Sequence, residues 1–290
     1  MIPAILDHSE VDRLIQLALD EDGVANDLTT RATETDPNAR KSTRATIVAK
    51  KPTVSSGYPV VEKILRLAGM QSTVKASTLV ADGTTLTANS PWMIFEGRPS
   101  DLLRAERTLL NFLMRMCGIA YRTQEVVKTI EHTGCKLLHT RKTAPGHRRI
   151  DVYAALSGGA HPHRRALDEA ILVKENHLRV TSSFQAMVDG INKLRAEAKF
   201  VEIEVTDFTE LKYAMGAKPD RILLDNFSVT DVARAVNLFG SSVQLEASGT
   251  INLETAKSYA ETGVDFISMG GITHSAPSAD LSLLFDFGNT

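Results

Sequence analysis

Polar and charged side chains recur at the ends of short apolar runs in the second half of the sequence. In parallel α/β folds, the carboxyl ends of the strands and the loops that follow them build the active site. Six such ends on one rim predict a functional pocket. The ends read HTRK at 139–142, VKENH at 173–177, VEIEV at 201–205, LLDN at 223–226, LEASG at 245–249 and SMGG at 268–271.

One part of the predicted rim is cationic. A guanidinium presents a planar fork of donors that suits carboxylate or phosphate, whereas an ammonium acts as a point charge. Several cations at one pocket repel each other unless an anion neutralises them, so the expected ligand is highly anionic. The candidate cations are Arg141, Lys142, His163, Arg164 and Lys174.

The remaining parts of the rim carry different chemistry. The carboxylates of Glu204 and Asp225 could bind ribose hydroxyls, hold Mg²⁺ directly or through water, act as acid and base, or form structural ion pairs with neighbouring Lys or Arg. Ser248-Gly249 and Gly270-Gly271 expose backbone N–H groups, and a predicted helix over 252–262 follows the first pair. A phosphate monoester is expected there, because phosphate commonly docks at the last loops of a barrel and at helix N-termini.

The net charge of the whole chain conceals the cationic part of the rim. The 290 residues carry 33 Lys and Arg against 35 Asp and Glu, so no global basic field indicates a nucleic-acid-binding protein. Between His139 and Arg179, however, eight Lys and Arg stand against four Asp and Glu, and five of the eight His lie there. This local excess of positive charge supports an anion-binding site.

Other kinds of site find little support in the sequence. No GxSxG motif is present, and Cys117 and Cys135 form no CxxC pair, so Cys117 is expected to be a buried, inert thiol. Arg164 and Arg165 lie beside the clustered histidines and oppose zinc binding there. Neither a signal peptide nor a membrane span is expected, and isolated cysteines suit a reducing, cytoplasmic compartment.

The elements that must position these residues follow from periodicity. The first hundred residues alternate between short strand and helix patterns, which indicates a small α+β unit, and 100–117 is the strongest helix pattern. Arg107 lies at the edge of the polar arc of that helix. After Cys135, six apolar runs alternate with helical segments, which predicts parallel βαβ units resembling a barrel of fewer than eight strands.

Several of these segments resemble the quinolinate phosphoribosyltransferase family, in order and spacing along nearly the whole chain. The N-terminal matches are EDGVANDLTT (21–30) and RAERTLLN (104–111). The later matches are TRKTAPGHRRIDVYAALSGGAHPHR (140–164), LDEAILVKENH (167–177), VEIEV (201–205), ILLDN (222–226), LEASG (245–249) and GVDFISMGGITHS (263–275).

The resemblance implies an N-terminal open-faced α/β sandwich over 1–115, an incomplete parallel α/β barrel over 116–275, and a segment 276–290 that returns to the first domain. It implies a homodimer, or a higher oligomer. The implied reaction transfers phosphoribose from phosphoribosyl pyrophosphate to quinolinate with Mg²⁺, giving nicotinate mononucleotide, pyrophosphate and CO₂ in NAD biosynthesis. A related phosphoribosyltransferase acting on another pyridine or base is the alternative.

The resemblance also implies roles for individual residues. Catalytic roles fall on Lys142, Lys174, Glu204 and Asp225, of which the two carboxylates would also hold the metal. Substrate binding falls on Arg107 from the neighbouring subunit and on Arg141, His163, Arg164, Ser248, Gly249, Gly270 and Gly271. The chain departs from the family pattern at Pro162, Glu175, Thr250 and Gly271, and none of these departures removes a charged site residue.

Overall fold

A computed structural model describes residues 3–36 and 41–286 and divides the chain into two compact units. The first unit consists of Met1–Gln124, Thr143–Gly159 and Ser275–Thr290. The second unit consists of Glu125–Lys142 and Ala160–His274.

The first unit contains a four-stranded antiparallel sheet. Its strands are β1 (Thr43–Ala49), β3 (Val74–Thr78), β5 (Ser90–Gly97) and β12 (Leu281–Asp286), in the order β12-β1-β5-β3. Strands β2 (Thr53–Val54) and β4 (Thr85–Leu86) pair separately. The helices of this unit are α1 (Ser9–Glu21), α2 (Leu28–Thr33), α3 (Tyr58–Leu67) and α5 (Arg148–Ser157), with a 3₁₀ turn at Val24–Asn26.

Helix α4 (Pro99–Ile130) is one continuous helix that begins in the first unit and ends in the second. The sequence pattern predicted its end at Cys117, and the expected domain boundary at 115 falls inside it. The helix continues through Gly118, where the glycine serves close packing and does not end the helix. A Cβ at Gly118 would lie 1.9 Å from the backbone oxygen of Pro277.

The first unit also includes Thr143–Gly159, which the sequence boundaries assigned to the barrel. The Nε and Nη2 atoms of Arg115 donate to the two carboxylate oxygens of Asp151, at 2.8 and 2.6 Å. Asp151 is fully buried, so this bidentate pair fixes α5 against α4. The link joins positions 36 residues apart, which a local pattern does not reveal.

The second unit contains a six-stranded parallel sheet. Its strands are β6 (Lys136–Leu138), β7 (Ile171–Val173), β8 (Val201–Val205), β9 (Arg221–Asp225), β10 (Gln244–Ser248) and β11 (Phe266–Ser268), in the order β6-β11-β10-β9-β8-β7. Strands β6 and β7 form the two edges, so the described sheet is an open barrel. The predicted fold class, an α/β sandwich plus an incomplete parallel barrel, is confirmed.

Helices connect the strands of the open barrel. They are α6 (Glu175–Val180), α7 (Phe184–Leu194), α8 (Phe208–Met215), α9 (Val229–Phe239), α10 (Leu253–Ala260) and α11 (Gly271–His274). Ser183, Asp207, Ser228 and Asn252 cap α7 to α10, because their side-chain oxygens accept hydrogen bonds from first-turn amides. These caps mark the residue at which each helix begins after the loop that follows the preceding strand.

Among the described residues, no helix has both the length and the apolar character needed to cross a bilayer.

Candidate functional site

A pocket of about 290 Å³ opens at the carboxyl ends of the strands in the second unit. We call it the barrel pocket. Ten of the twelve predicted site residues line it: Arg141, Lys142, His163, Arg164, Lys174, Glu204, Asp225, Ser248, Gly249 and Gly270. Gly271 begins α11 immediately after Gly270 and is not part of the lining. Arg107 belongs to the first unit and is exposed on α4.

Loop contacts position Lys142 beside the end of β11. The hydroxyl of Thr273 donates to the carbonyl oxygens of Lys142 and Gly270, at 2.7 and 3.0 Å, and so joins the two loops. A Cβ on Gly270 would lie 2.8 Å from Cδ of Lys142. Glycine at 270 therefore makes room for the stem of the lysine.

His163 and Arg164 are positioned by the segment that runs beside β6. The amide of His161 donates to the carbonyl of Leu137 at 2.7 Å, and a parallel bridge pairs His161 with Leu138. Arg164 is buried, and its Nη1 donates to the carbonyl of Ala170 at 3.0 Å. Burial lowers the pKa of Arg164, but the ordinary value for arginine is so high that the guanidinium stays charged at neutral pH.

The two acidic residues of the barrel pocket lie on adjacent strands. Val205 on β8 is in register with Leu224 on β9. Glu204 and Asp225 are the sequence neighbours of these two residues, so they lie on adjacent strands at the rim of the barrel pocket. Glu204 forms an ion pair with Lys174, and Oδ2 of Asp225 accepts a hydrogen bond from Nδ2 of Asn226 at 2.9 Å. Of the alternatives left open for Glu204, the structure contains the ion pair with a neighbouring lysine.

The loop after β10 approaches β9 very closely. Gly249 has φ +122°, and a Cβ there would lie 2.2 Å from Oδ1 of Asn226. Only glycine fits this position without displacing its neighbour. The first-turn amides of Glu254 and Thr255 in α10 already donate to Oδ1 of Asn252. Those two amides therefore already have an acceptor, and the phosphate site expected at the Ser248-Gly249 and Gly270-Gly271 loops stays a prediction.

Buried residues that the sequence analysis did not single out form the floor of the barrel pocket. The lining includes His139, Glu246 and Ser268, and Glu202 lies directly behind His163. Strand alternation gives a signal for one of them, because Glu202 and Glu204 share a face of β8. Glu246 lies in the middle of β10, and its role becomes apparent only when its partners on other strands are known.

Burial controls protonation on this floor. Burial lowers the pKa of His139 to about 4, so its ring is neutral, and its Nε2 accepts a hydrogen bond from the amide of His163 at 3.1 Å. Burial and the neighbouring carboxylate of Glu202 raise the pKa of Glu246 to about 7. Burial alone would lower the pKa of His163, but the hydrogen bond to Glu202 and the charge of Glu246 outweigh it and raise that pKa.

Not every cation in the basic stretch belongs to the barrel pocket. Nε of Arg149 donates to Glu10 at 2.7 Å within the first unit. Arg165 pairs with Glu169 through its Nη2 and its Nε, the latter at 3.0 Å. Arg179 pairs with Glu175, and Arg148 donates from Nε to the hydroxyl of Thr143 at 2.7 Å. Part of the local positive excess is therefore structural, and Arg141, Lys142, Arg164 and Lys174 are the members that line the pocket.

The cysteines take no part in the pocket. Cys117 and Cys135 are free and buried. Burial raises the pKa of the Cys117 thiol and raises that of Cys135 to about 12, so both thiols are protonated at neutral pH. The prediction of an inert Cys117 is confirmed.

Comparison with known proteins gives one consistent result. Residues 27–117 match the family described as quinolinate phosphoribosyl transferase, N-terminal domain, and residues 119–284 match the corresponding C-terminal domain. The nicotinate-nucleotide pyrophosphorylase (carboxylating) of Mycobacterium leprae is 35% identical over 275 residues, which cover 93% of this chain and 95% of the relative. A probable enzyme of the same name from Bacillus subtilis is 30% identical over 278 residues, covering 96% and 94%. The structure of the nicotinate-nucleotide pyrophosphorylase from Francisella tularensis superposes with a TM-score of 0.89 at 35% identity and 96% coverage of both chains.

Proposed function

Because this chain belongs to the quinolinate phosphoribosyltransferase family, we propose that the barrel pocket is where it joins its two substrates. The enzyme transfers phosphoribose from phosphoribosyl pyrophosphate to quinolinate with loss of CO₂, and its product enters NAD biosynthesis. The observation that carries the location is the convergence of five cationic side chains, three acidic side chains and three small loop residues in one cavity. The combined negative charge of a dicarboxylate and a pyrophosphate matches that excess of cations.

The arginines and the lysines of the barrel pocket suit different groups of the two substrates. The forks of Arg141 and Arg164, with His163, suit the two planar carboxylates of quinolinate. Lys142 and Lys174 are point charges that suit pyrophosphate, whose negative charge grows as it leaves. The loops at Ser248-Gly249 and Gly270 suit the 5′-phosphate, since their small residues leave backbone donors accessible.

The reaction needs no side-chain nucleophile. The ring nitrogen of quinolinate attacks the anomeric carbon while the bond to pyrophosphate breaks, through a transition state in which the ribose is cationic. The carboxylates of Glu204 and Asp225 stabilise that positive charge, and the lysines stabilise the leaving group. The bond between the ring carbon next to the nitrogen and its carboxylate then breaks, and the carboxylate leaves as CO₂. Its bonding electron pair stays on the ring beside the positive nitrogen and takes up a proton.

The acidic pair also fits Mg²⁺. Two carboxylates on adjacent strands supply the oxygen ligands that this ion prefers, and their hydrogen-bond partners orient them toward the pocket. Glu204 and Asp225 would hold the ion directly or through water. When bound, Mg²⁺ offsets the negative charge of the pyrophosphate.

We propose that two chains form a dimer and that Arg107 serves the barrel pocket of the partner chain. Arg107 is exposed on α4, and Leu103, one turn earlier on the same helix face, is 45% exposed. A cation beside an exposed leucine suits a surface that another copy covers and that completes an anion site. We also propose a cytoplasmic location, because both free thiols suit a reducing compartment.

A direct assay tests the substrate assignment. The purified protein is expected to convert quinolinate and phosphoribosyl pyrophosphate to nicotinate mononucleotide with stoichiometric release of CO₂, and to lose turnover when Mg²⁺ is omitted. Chromatography of the nucleotide and trapping of ¹⁴CO₂ from carboxyl-labelled quinolinate measure both products. Turnover of nicotinic acid without turnover of quinolinate would favour the alternative, a phosphoribosyltransferase for another pyridine.

Mixed dimers test the shared site. Arg107→Ala and Lys174→Met chains are each expected to be nearly inactive alone, since each lacks one cation at every site. After equal mixing and reassociation, about a quarter of wild-type activity is expected, because half of the dimers are mixed and each of these has one intact site. Mixing Lys174→Met with Glu204→Gln is the control, since both changes affect the same chain's pocket. Equal recovery in the two mixtures would argue against the shared site.

A further inference from the structure

Four charged residues form a buried cluster behind the barrel pocket. We call His163, Glu202, Arg221 and Glu246 the floor cluster. The exposed fractions are 0% for Glu202, 1% for Glu246 and 9% for Arg221, and the side chain of His163 is 8% exposed. Buried charges persist only when they are paired and well hydrogen-bonded, so this arrangement requires a reason.

Each carboxylate of the floor cluster has a cationic partner. Nε2 of His163 lies 2.9 Å from Oε2 of Glu202 and 3.6 Å from Oε2 of Glu246. Nη1 of Arg221 donates to the same oxygen of Glu246 at 3.0 Å. The Arg221 guanidinium also lies 4.0 Å from the centre of the Phe266 ring, which fixes it between a carboxylate and an aromatic face.

These contacts set the orientation of the His163 ring. Its Nε2 faces the two carboxylates, and the Phe200 ring packs against it edge-on with centroids 5.4 Å apart. The neutral ring of His139 holds the backbone amide of His163. Because Nε2 is engaged behind the pocket, Nδ1 is the ring nitrogen left for a ligand in the cavity that His163 lines.

The state of Nδ1 decides whether His163 attracts or repels an anion. A ring protonated only on Nε2 presents a lone pair at Nδ1, which repels a carboxylate. A ring protonated on both nitrogens presents an N–H donor with a positive charge. The hydrogen bond to Glu202 favours the second form, Glu246 adds to that preference when it is ionised, and the positive charge of Arg221 opposes it.

The atoms that form these hydrogen bonds are also of the kinds that bind metal ions in proteins. The ligand atoms of His163, Glu202 and Glu246 lie within 4.8 Å of one another. However, both carboxylates are buried and already have partners within the floor cluster, His163 for Glu202 and Arg221 for Glu246. A histidine that donates from Nε2 to a carboxylate also lacks the lone pair that a metal would need there.

We propose that Glu202 is a positioning residue for His163. Its carboxylate takes the Nε2 hydrogen bond and turns the ring so that Nδ1–H is presented to a carboxylate of the substrate. Glu202 itself does not touch the substrate, and its effect reaches the reaction through His163. The identity of that substrate as a pyridine dicarboxylate rests on the proposed function.

Glu202→Gln tests this role because it keeps the shape of the side chain and removes its charge. The KM for quinolinate is expected to rise about tenfold or more, while the KM for phosphoribosyl pyrophosphate and kcat change less than threefold. A general structural defect would alter all three together. Glu202→Asp keeps the charge with a shorter reach and is expected to recover part of the lost affinity.

The pH dependence gives a second readout. In the wild-type protein, quinolinate binding is expected to be strongest where His163 is protonated and to weaken as the pH rises through its raised pKa. In Glu202→Gln, the loss is expected at lower pH, because the neutral amide supports the protonated ring less. Steady-state KM for quinolinate across the pH range measures this displacement.

Nitrogen-15 NMR of histidine-labelled protein without substrate measures the protonation of the two His163 ring nitrogens directly and does not depend on turnover. The His163 signals, assigned with His163→Gln, should show both ring nitrogens protonated at a pH where exposed histidines are neutral. They should titrate at lower pH in Glu202→Gln. A wild-type ring with unprotonated Nδ1 under those conditions overturns the proposal even if the variants fail to fold. Unchanged titration in Glu202→Gln also overturns it. Failure of the wild type to use quinolinate would instead contradict the proposed function and leave this test intact.

Discussion

Replacing Lys174 with methionine is expected to lower kcat/KM for phosphoribosyl pyrophosphate about 10²–10³-fold. Methionine has nearly the length of lysine but no charge, so the change removes the cation without emptying the space. The ion pair with Glu204 is also lost, and this carboxylate, whose side chain is 14% exposed, then faces the pocket unpaired. An uncompensated anion repels pyrophosphate, so the two effects act in the same direction.

The double variant Lys174→Met/Glu204→Gln separates these effects. If repulsion by Glu204 contributes, the double variant should bind phosphoribosyl pyrophosphate more tightly than Lys174→Met alone, although its turnover stays low. Lys212→Ala, an exposed lysine on α8 of the same unit, is the control and should leave the kinetics unchanged. A Lys174→Met enzyme within threefold of wild type would contradict the role given to this lysine.

The second large effect is expected from Gly249→Ala. The added methyl group would lie 2.2 Å from Oδ1 of Asn226, and alanine is strained at φ +122°. Relief of the clash must move Asn226 and the adjacent Asp225, whose carboxylate it hydrogen-bonds. We expect kcat/KM for phosphoribosyl pyrophosphate to fall by at least tenfold and the free energy of unfolding to fall by about 1–3 kcal/mol.

Gly190→Ala is the matched control for this substitution. Gly190 lies in α7 of the same unit, and a methyl group added there would meet nothing within 4 Å. Alanine in a helix is favoured over glycine by about 1 kcal/mol, so this variant should keep full activity and gain stability. Thermal unfolding and initial rates on both variants check the pair. Normal kinetics in Gly249→Ala would show that the loop after β10 is not part of the phosphoribosyl site.

The location of the barrel pocket could be predicted from the sequence because its signals are local. Each strand ends where an apolar run meets a polar residue, and the parallel topology brings such ends together. Arg141, Lys174 and Asp225 could therefore be placed on one rim without knowing any contact between strands. The expected resemblance to the quinolinate phosphoribosyltransferase family is confirmed by matches along nearly the whole chain.

The residues that sequence reasoning missed depend on contacts between distant positions. Glu246 becomes informative only beside Arg221, 25 residues earlier, and Glu202 only beside His163, 39 residues earlier. The sequence of β10 alone does not show that its carboxylate has a partner on another strand. Residues 143–159 likewise belong to the first unit through contacts with distant positions, such as the Arg115–Asp151 pair, which no local periodicity encodes.

The pairing of β12 with β1 constrains how the chain can fold during synthesis. Thr43 on β1 contacts the backbone of Asp286 on β12, 243 positions later, so one edge of the first unit's sheet is supplied after the whole second unit has been made. Domains generally fold in the order of translation, at about 5–20 residues per second. Here the order of completion is reversed. The second unit can form its own contacts while the chain is still on the ribosome. At those speeds, β1 lacks its β12 partner for more than about ten seconds after it is made. Until β12 is made, the unpaired edge of β1 can form hydrogen bonds with a wrong strand.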